Sequence, residues 1–170
     1  LITKLVSLFF KLHGHEFMRD MLGPIIESII TDNKNLEIDP NRIQVPATAT
    51  ATATATAIEG VTSVEKKMIE ENASALNQLA KQILDSIINV SLEKCPVALR
   101  QILSHTYQLA SKAFPEQPGE ICAGGLFFLR FLCPALTSPH LHGLTRVEKP
   151  GDAALRTLTL LTKCIQNIAN

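Results

Sequence analysis

The chain has 170 residues, enough for one domain with a real hydrophobic core. It is 46% hydrophobic and 5% aromatic, and its 16 Lys and Arg balance 16 Asp and Glu. That balance offers no electrostatic attraction to nucleic acid or to an anionic membrane surface, and no apolar run reaches the ~18–20 residues of a membrane span. The chain opens on Leu1 and closes on Asn170, each inside a helical pattern, with no initiator Met and no signal-peptide pattern. It reads as a fragment of a longer polypeptide. Cys95, Cys122, Cys133 and Cys164 lie far apart without metal-ligand spacing. Cys133 and Cys164 fall among apolar neighbours, as buried thiols of a reducing compartment do.

In chain order, Leu1, Leu5, Leu8 and Leu12 recur at helical spacing with Phe9 beside them, and Gly14 is a stop signal. A second helix starts near Glu16. Its pairs Phe17-Met18, Met21-Leu22, Ile25-Ile26 and Ile29-Ile30 repeat every four residues, and Gly23-Pro24 predicts a kink or break within it. Leu36 to Ile43 reads as an extended connection, because Asp39 precedes Pro40 and is pushed out of the helical region. Ala47 to Ala57 is a strict Ala-Thr alternation. Alanine buries little surface and nothing pins a register, so a mobile low-complexity insertion at about 45–60 is expected rather than a strand.

Helix returns near Val64, with Thr62-Ser63 placed to cap it, and runs through Ile87-Ile88. Pro96 opens the next, whose stripe is Leu99, Ile102-Leu103, Tyr107, Ala110 and Phe114. The following segment, Gly124 to Leu136, is the most apolar in the chain. From Leu126 to Cys133 only Arg130 is charged, and Pro134 stops or bends the helix. A helix apolar all round is buried in a larger helical body, yet a guanidinium keeps its proton and needs partners or solvent. Arg130 is therefore either a structural tie or a group aimed at a functional surface. Thr137 to Gly151 is largely loop, and Asp152 caps a last helix. At about 100° per residue, Leu158, Leu161, Ile165 and Ile168 gather on one side of it. Lys163, Gln166 and Asn170, with Thr159, lie opposite as a polar strip that is either simply solvated or placed to hydrogen-bond a partner. The class is all-α, with about six helices.

No enzyme signature is present. Gly124-Gly125 is too short for a phosphate loop, and no Ser occupies a nucleophile elbow. His13-Gly14-His15 and His140-Leu141-His142 lack a third ligand at defined spacing, so they read as loop histidines.

Phe128-Leu129-Arg130-Phe131-Leu132-Cys133-Pro134-Ala135 resembles the signature of Ras-type GTPase-activating domains, in which a Phe-Leu-Arg triplet precedes a Pro-Ala pair. Leu1-Ile2-Thr3-Lys4, Glu37-Ile38-Asp39-Pro40-Asn41-Arg42, and Arg156-Thr157-Leu158 through Lys163 to Gln166-Asn167-Ile168-Ala169-Asn170 resemble, in order, further segments of that family. The resemblance covers nearly the whole chain apart from the Ala-Thr tract. It implies a multi-helix Ras-GAP-like domain, here truncated at both ends, that is no enzyme itself. Its partner would be a Ras-like small GTPase in the GTP-bound form, which brings GTP and Mg²⁺; no cofactor of the chain's own is implied.

In the family an arginine finger neutralises charge on the transferring phosphate and steadies the water-orienting glutamine. The resemblance matches Arg130 not to the finger but to the arginine that holds the finger loop through its backbone. It sets Leu129 against the GTPase switch region and Lys163, Gln166 and Asn170 in the docking groove. The finger itself lies upstream of the position matching Leu1. Arg19 and Arg42 stand in other segments. The alternative is a non-activating scaffold of the same fold, and a weaker reading is a helical interaction module with no GTPase partner. The expected location is cytoplasmic, at the inner face of the membrane, reached through regions outside this chain.

Overall fold

A computed structural model describes the backbone of residues 2–43 and 56–169 and the side chains of residues 4–43 and 63–168. Within those bounds the protein is all-α. The helices are α1 (Ile2–His13), α2 (His15–Asp32), α3 (Thr56–Asn89), α4 (Val97–Ala113), α5 (Gly119–Thr137) and α6 (Asp152–Ala169), with a 3₁₀ turn at Pro139–His142.

The corner between α1 and α2 is set by packing. Gly14 is buried, with φ −100°, a conformation open to any residue. A Cβ there would strike the Phe131 ring and lie 2.8 Å from the Phe10 carbonyl oxygen. Glycine thus lets the chain pass over an aromatic cluster in which Phe10 and Phe131 meet edge to face, 5.3 Å between centroids. The leucine stripe of α1 does not form the core: Leu5, Leu8 and Leu12 are 53–68% exposed, whereas Phe10 is fully buried and Val6 and Phe9 pack beside it. The helix is apolar on two faces, and periodicity alone cannot say which one meets a neighbour.

α2 runs unbroken through Pro24, which is exposed. It ends where Asn33 adopts the left-handed conformation (φ 44°, ψ 38°) and returns its N–H to the Ile29 carbonyl, 3.0 Å. The next segment is neither helix nor strand as far as Asp39, and the connection expected to stay extended to Ile43 instead turns at residues 40–42, where the Arg42 N–H donates to the Asp39 carbonyl, 3.0 Å. α3 begins at Thr56, inside the Ala-Thr tract, so Thr62-Ser63 lies within the helix rather than capping it. The rest of that tract, to residue 55, is outside the described residues.

α5 contains the local feature that matters most. Between regular α-helical stretches, Phe128–Leu132 is wound as a π turn, with the Cys133 N–H reaching back five residues to the Phe128 carbonyl. Such a turn leaves one carbonyl without an intrahelical donor. Pro134, which has no N–H to give, follows directly. The proline therefore does not stop the helix, which continues to Thr137.

By length and apolar character α5 matches a membrane-crossing helix, contrary to the expectation that no segment would. Here it is a bundle element. α4 packs along its first half, α1 packs on its π turn, and α6 packs on the π turn and the last turns. Phe131, Leu132, Cys133, Ala135 and Leu136 are buried there. α6 also meets α2 and α3, and its Ala154, Leu158, Leu161 and Ile165 are fully buried at the centre of the core. Ile168, expected on the same core face, is 58% exposed.

Candidate functional site

α5 is not buried all round. Its π turn directs Phe131 and Leu132 into the core, leaves Leu129 half-buried and exposes Arg130. Among the described residues Arg130 makes no hydrogen bond and no ion pair. The turn that carries it is packed between α1 and α6. An arginine can emerge from so apolar a sequence because the extra residue of the π turn resets the helical phase, turning one position outward beside the buried Phe131.

On α6 the two-faced reading holds through Gln166. Lys163 is exposed, Gln166 and Thr159 are half-buried, and the opposite face forms the core. Thr159 Oγ1 donates to the Leu155 carbonyl, 2.8 Å, and so is tied within its own helix. Asn170 lies outside the described residues. α6 is fixed to α5 partly by polar contact: Thr137 Oγ1 and Thr162 Oγ1 are 3.3 Å apart, and Thr162 Oγ1 also donates to the Leu158 carbonyl, 2.8 Å.

The strongest electrostatic feature escaped the reading of periodicity. Glu37, in the extended connection, is buried, and it receives a forked pair of bonds from Arg156: Nε to Oε2, 2.7 Å, and Nη2 to Oε1, 2.8 Å. The backbone N–H groups of Ile38 and Asp39 also donate to Oε1, each at 3.1 Å. The Arg156 guanidinium, helped by these N–H groups against the opposing effect of burial, holds the Glu37 carboxyl down at about 2. The same bond raises Arg156 above its ordinary value. Further bonds fasten the connection along its length. Thr157 Oγ1 donates to the Lys34 carbonyl (2.7 Å) and accepts from the Leu36 N–H (3.1 Å). The Ala154 N–H donates to Asn33 Oδ1 (3.2 Å), and Asn72 of α3 donates to the Glu37 carbonyl (2.7 Å). A carboxylate among the apolar residues Leu36 and Ile38 was the available signal, but nothing in spacing names its partner 119 residues on.

The histidine pairs gather no metal site: no group of three ligating side chains forms among the described residues. Burial, with Lys11 and His140 nearby, lowers His142. Burial pushes the Cys133 thiol up to about 11, so this cysteine is an inert core residue.

A profile of the family described as "GTPase-activator protein for Ras-like GTPase" matches residues 1–170, the whole chain. The chain belongs to the Ras-GAP family. It is 30% identical over 172 residues to "Probable Ras GTPase-activating-like protein ngap" of Dictyostelium discoideum, covering 100% of this chain and 17% of that protein. It is 29% identical over 175 residues to human "Ras GTPase-activating protein 4B" and 28% over 174 residues to human "RasGAP-activating-like protein 1", in each case covering 100% of this chain and 21% of the relative. The chain thus spans about a fifth of the length of these curated Ras-GAP relatives.

Proposed function

We propose that the protein containing this Ras-GAP segment binds a Ras-like small GTPase in its GTP-bound form and stimulates its hydrolysis of GTP. The observation that carries this reading is Arg130: a permanent cation, exposed and without a partner among the described residues, on a π turn lodged between α1 and α6. A buried structural arginine would be paired; this one is held out by the core, with its donors unpaired among the described residues. On this reading Arg130 donates to the backbone of the loop carrying the arginine finger, which the family places ahead of α1. Leu129 packs on the GTPase switch region, Lys163 and Gln166 of α6 bond the GTPase, and Asn170 does so as well. GTP and Mg²⁺ arrive with the partner, and the finger stabilises charge as the phosphoryl group transfers. Its place of action is the cytoplasmic face of the membrane, reached through regions other than residues 1–170.

Single-turnover GTP hydrolysis by a Ras-like GTPase, with and without the intact parent protein, tests the proposal. Acceleration by several orders of magnitude, toward the ~10⁵-fold known for Ras itself, is expected. GTPase binding without acceleration would instead favour a scaffold of the same fold. Residues 1–170 alone, whose first arginine is Arg19, are expected to accelerate hydrolysis weakly or not at all; full acceleration by that piece would overturn the need for an upstream finger.

A further inference from the structure

Arg156 lies on the same side of α6 as Lys163 and Gln166. At about 100° per residue, Lys163 stands only ~20° from Arg156 around the helix, about 10 Å further along. The polar strip proposed to meet the GTPase therefore begins, at its N-terminal end, with the guanidinium that grips Glu37. Three residues in the first two turns of α6, Ala154, Arg156 and Thr157, are bonded to Asn33, Glu37 and the backbone at Lys34 and Leu36. Gly151 lets the two segments approach closely, since a Cβ there would press into the Asn33 side chain. The other side of the connection is held by Asn72 of α3. The apolar face of α6 fixes its distance from the core, but leucine and isoleucine contacts tolerate small rotations and slides. A forked Arg–carboxylate pair has one geometry, in which both N–H groups meet their oxygens.

We propose that Glu37 and Arg156 are positioning residues for the docking face: they set the rotation and axial register of α6, and so where Lys163 and Gln166 stand. The inference rests on the function proposed above, and its test separates the two. In the intact parent protein, Arg156→Ala and the milder Arg156→Lys are compared with wild type by backbone hydrogen exchange and by GTPase titration. For Arg156→Ala, exchange at the amides of residues 158–166 is expected to rise ~10-fold or more while α4 amides stay unchanged. The GTPase concentration giving half-maximal stimulation is expected to rise ~10-fold, with the maximal rate within about threefold of wild type. Arg156→Lys keeps the charge but loses the fork, and should fall between. In a Lys163→Ala background the Arg156→Ala effect on half-saturation should shrink, because both changes act on one contact.

Unchanged exchange in α6, or a rise spread equally over α4, would overturn the inference whether or not a GTPase binds. Loosened α6 amides with an unmoved half-saturation, or strict additivity with Lys163→Ala, would overturn its link to docking. Failure of the wild-type protein to bind any Ras-like GTPase would instead remove the function proposed above, and with it the docking role, leaving the exchange result to decide the register of α6.

Discussion

Glu37 is a carboxylate kept ionised by what surrounds it, and this fixes the sign of a pH dependence. Its folded pKa, about 2, lies below the ordinary 4.5, so the stability it contributes is fully present above pH 4.5 and is lost as pH falls from there toward 2. Glu37→Gln is expected to cost about 2–3 kcal/mol at pH 7, less than a wholly buried pair because Arg156 is partly exposed. Urea unfolding of both proteins should show that difference narrowing between pH 4.5 and 2; a difference independent of pH would contradict the ion pair. Gly14 makes a separate prediction. Its φ suits alanine, so only the collision with Phe131 and the Phe10 carbonyl opposes Gly14→Ala. Overpacking of this kind costs about 1–3 kcal/mol, read as a lower urea midpoint with unchanged slope.

At the scale of the element, α5 shows how a local irregularity serves the surface. The π turn and Pro134 belong together: the turn frees a carbonyl and the proline withholds the matching donor. Pro134→Ala restores that donor and allows regular α winding, which would turn Arg130 by up to about 100° relative to the residues after it. The expected outcome is a protein at least as stable to heat but with GTPase stimulation reduced about tenfold or more, since the positioning of the Arg130 donors is altered without removing them. Equal stimulation by the variant would show that the winding is incidental. α6 obeys the simpler logic of an amphipathic helix, and its core and polar faces were legible through Gln166. The winding of α5 was not, because a segment apolar at nearly every position has no phase from which a slip could be read; Pro134 was its one sequence mark.

Across the whole molecule, the sequence predicted the helical class, the order of the helices, a non-helical connection after Leu36 and the exposure of Lys163, although the connection expected to be extended from Leu36 to Ile43 turns at residues 40–42. Those features rest on 3.6-residue periodicity, on Pro and Gly, and on the Asp-Pro step, all of them local. What it missed depends on partners distant in the chain. The Leu5–Leu8–Leu12 stripe marked α1 as helical but could not say which face is buried; it faces outward, and α1 turns Phe10 inward. The helix around Arg130 looked apolar and buried on every side, yet it exposes that arginine. Glu37 and Arg156 were visible only as parts of two family-like segments, and their pairing needed the fold.

In the proposed function Arg130 acts by supporting a catalytic loop rather than by holding the core together. Single-turnover GTP hydrolysis by a Ras-like GTPase, titrated with the intact parent protein carrying Arg130→Ala, tests it most directly. The maximal stimulated rate is expected to fall about 10–100-fold, with half-saturation within about threefold of wild type and thermal stability unchanged. A maximal rate equal to wild type, or a loss of activity that merely follows a loss of folding, would contradict it.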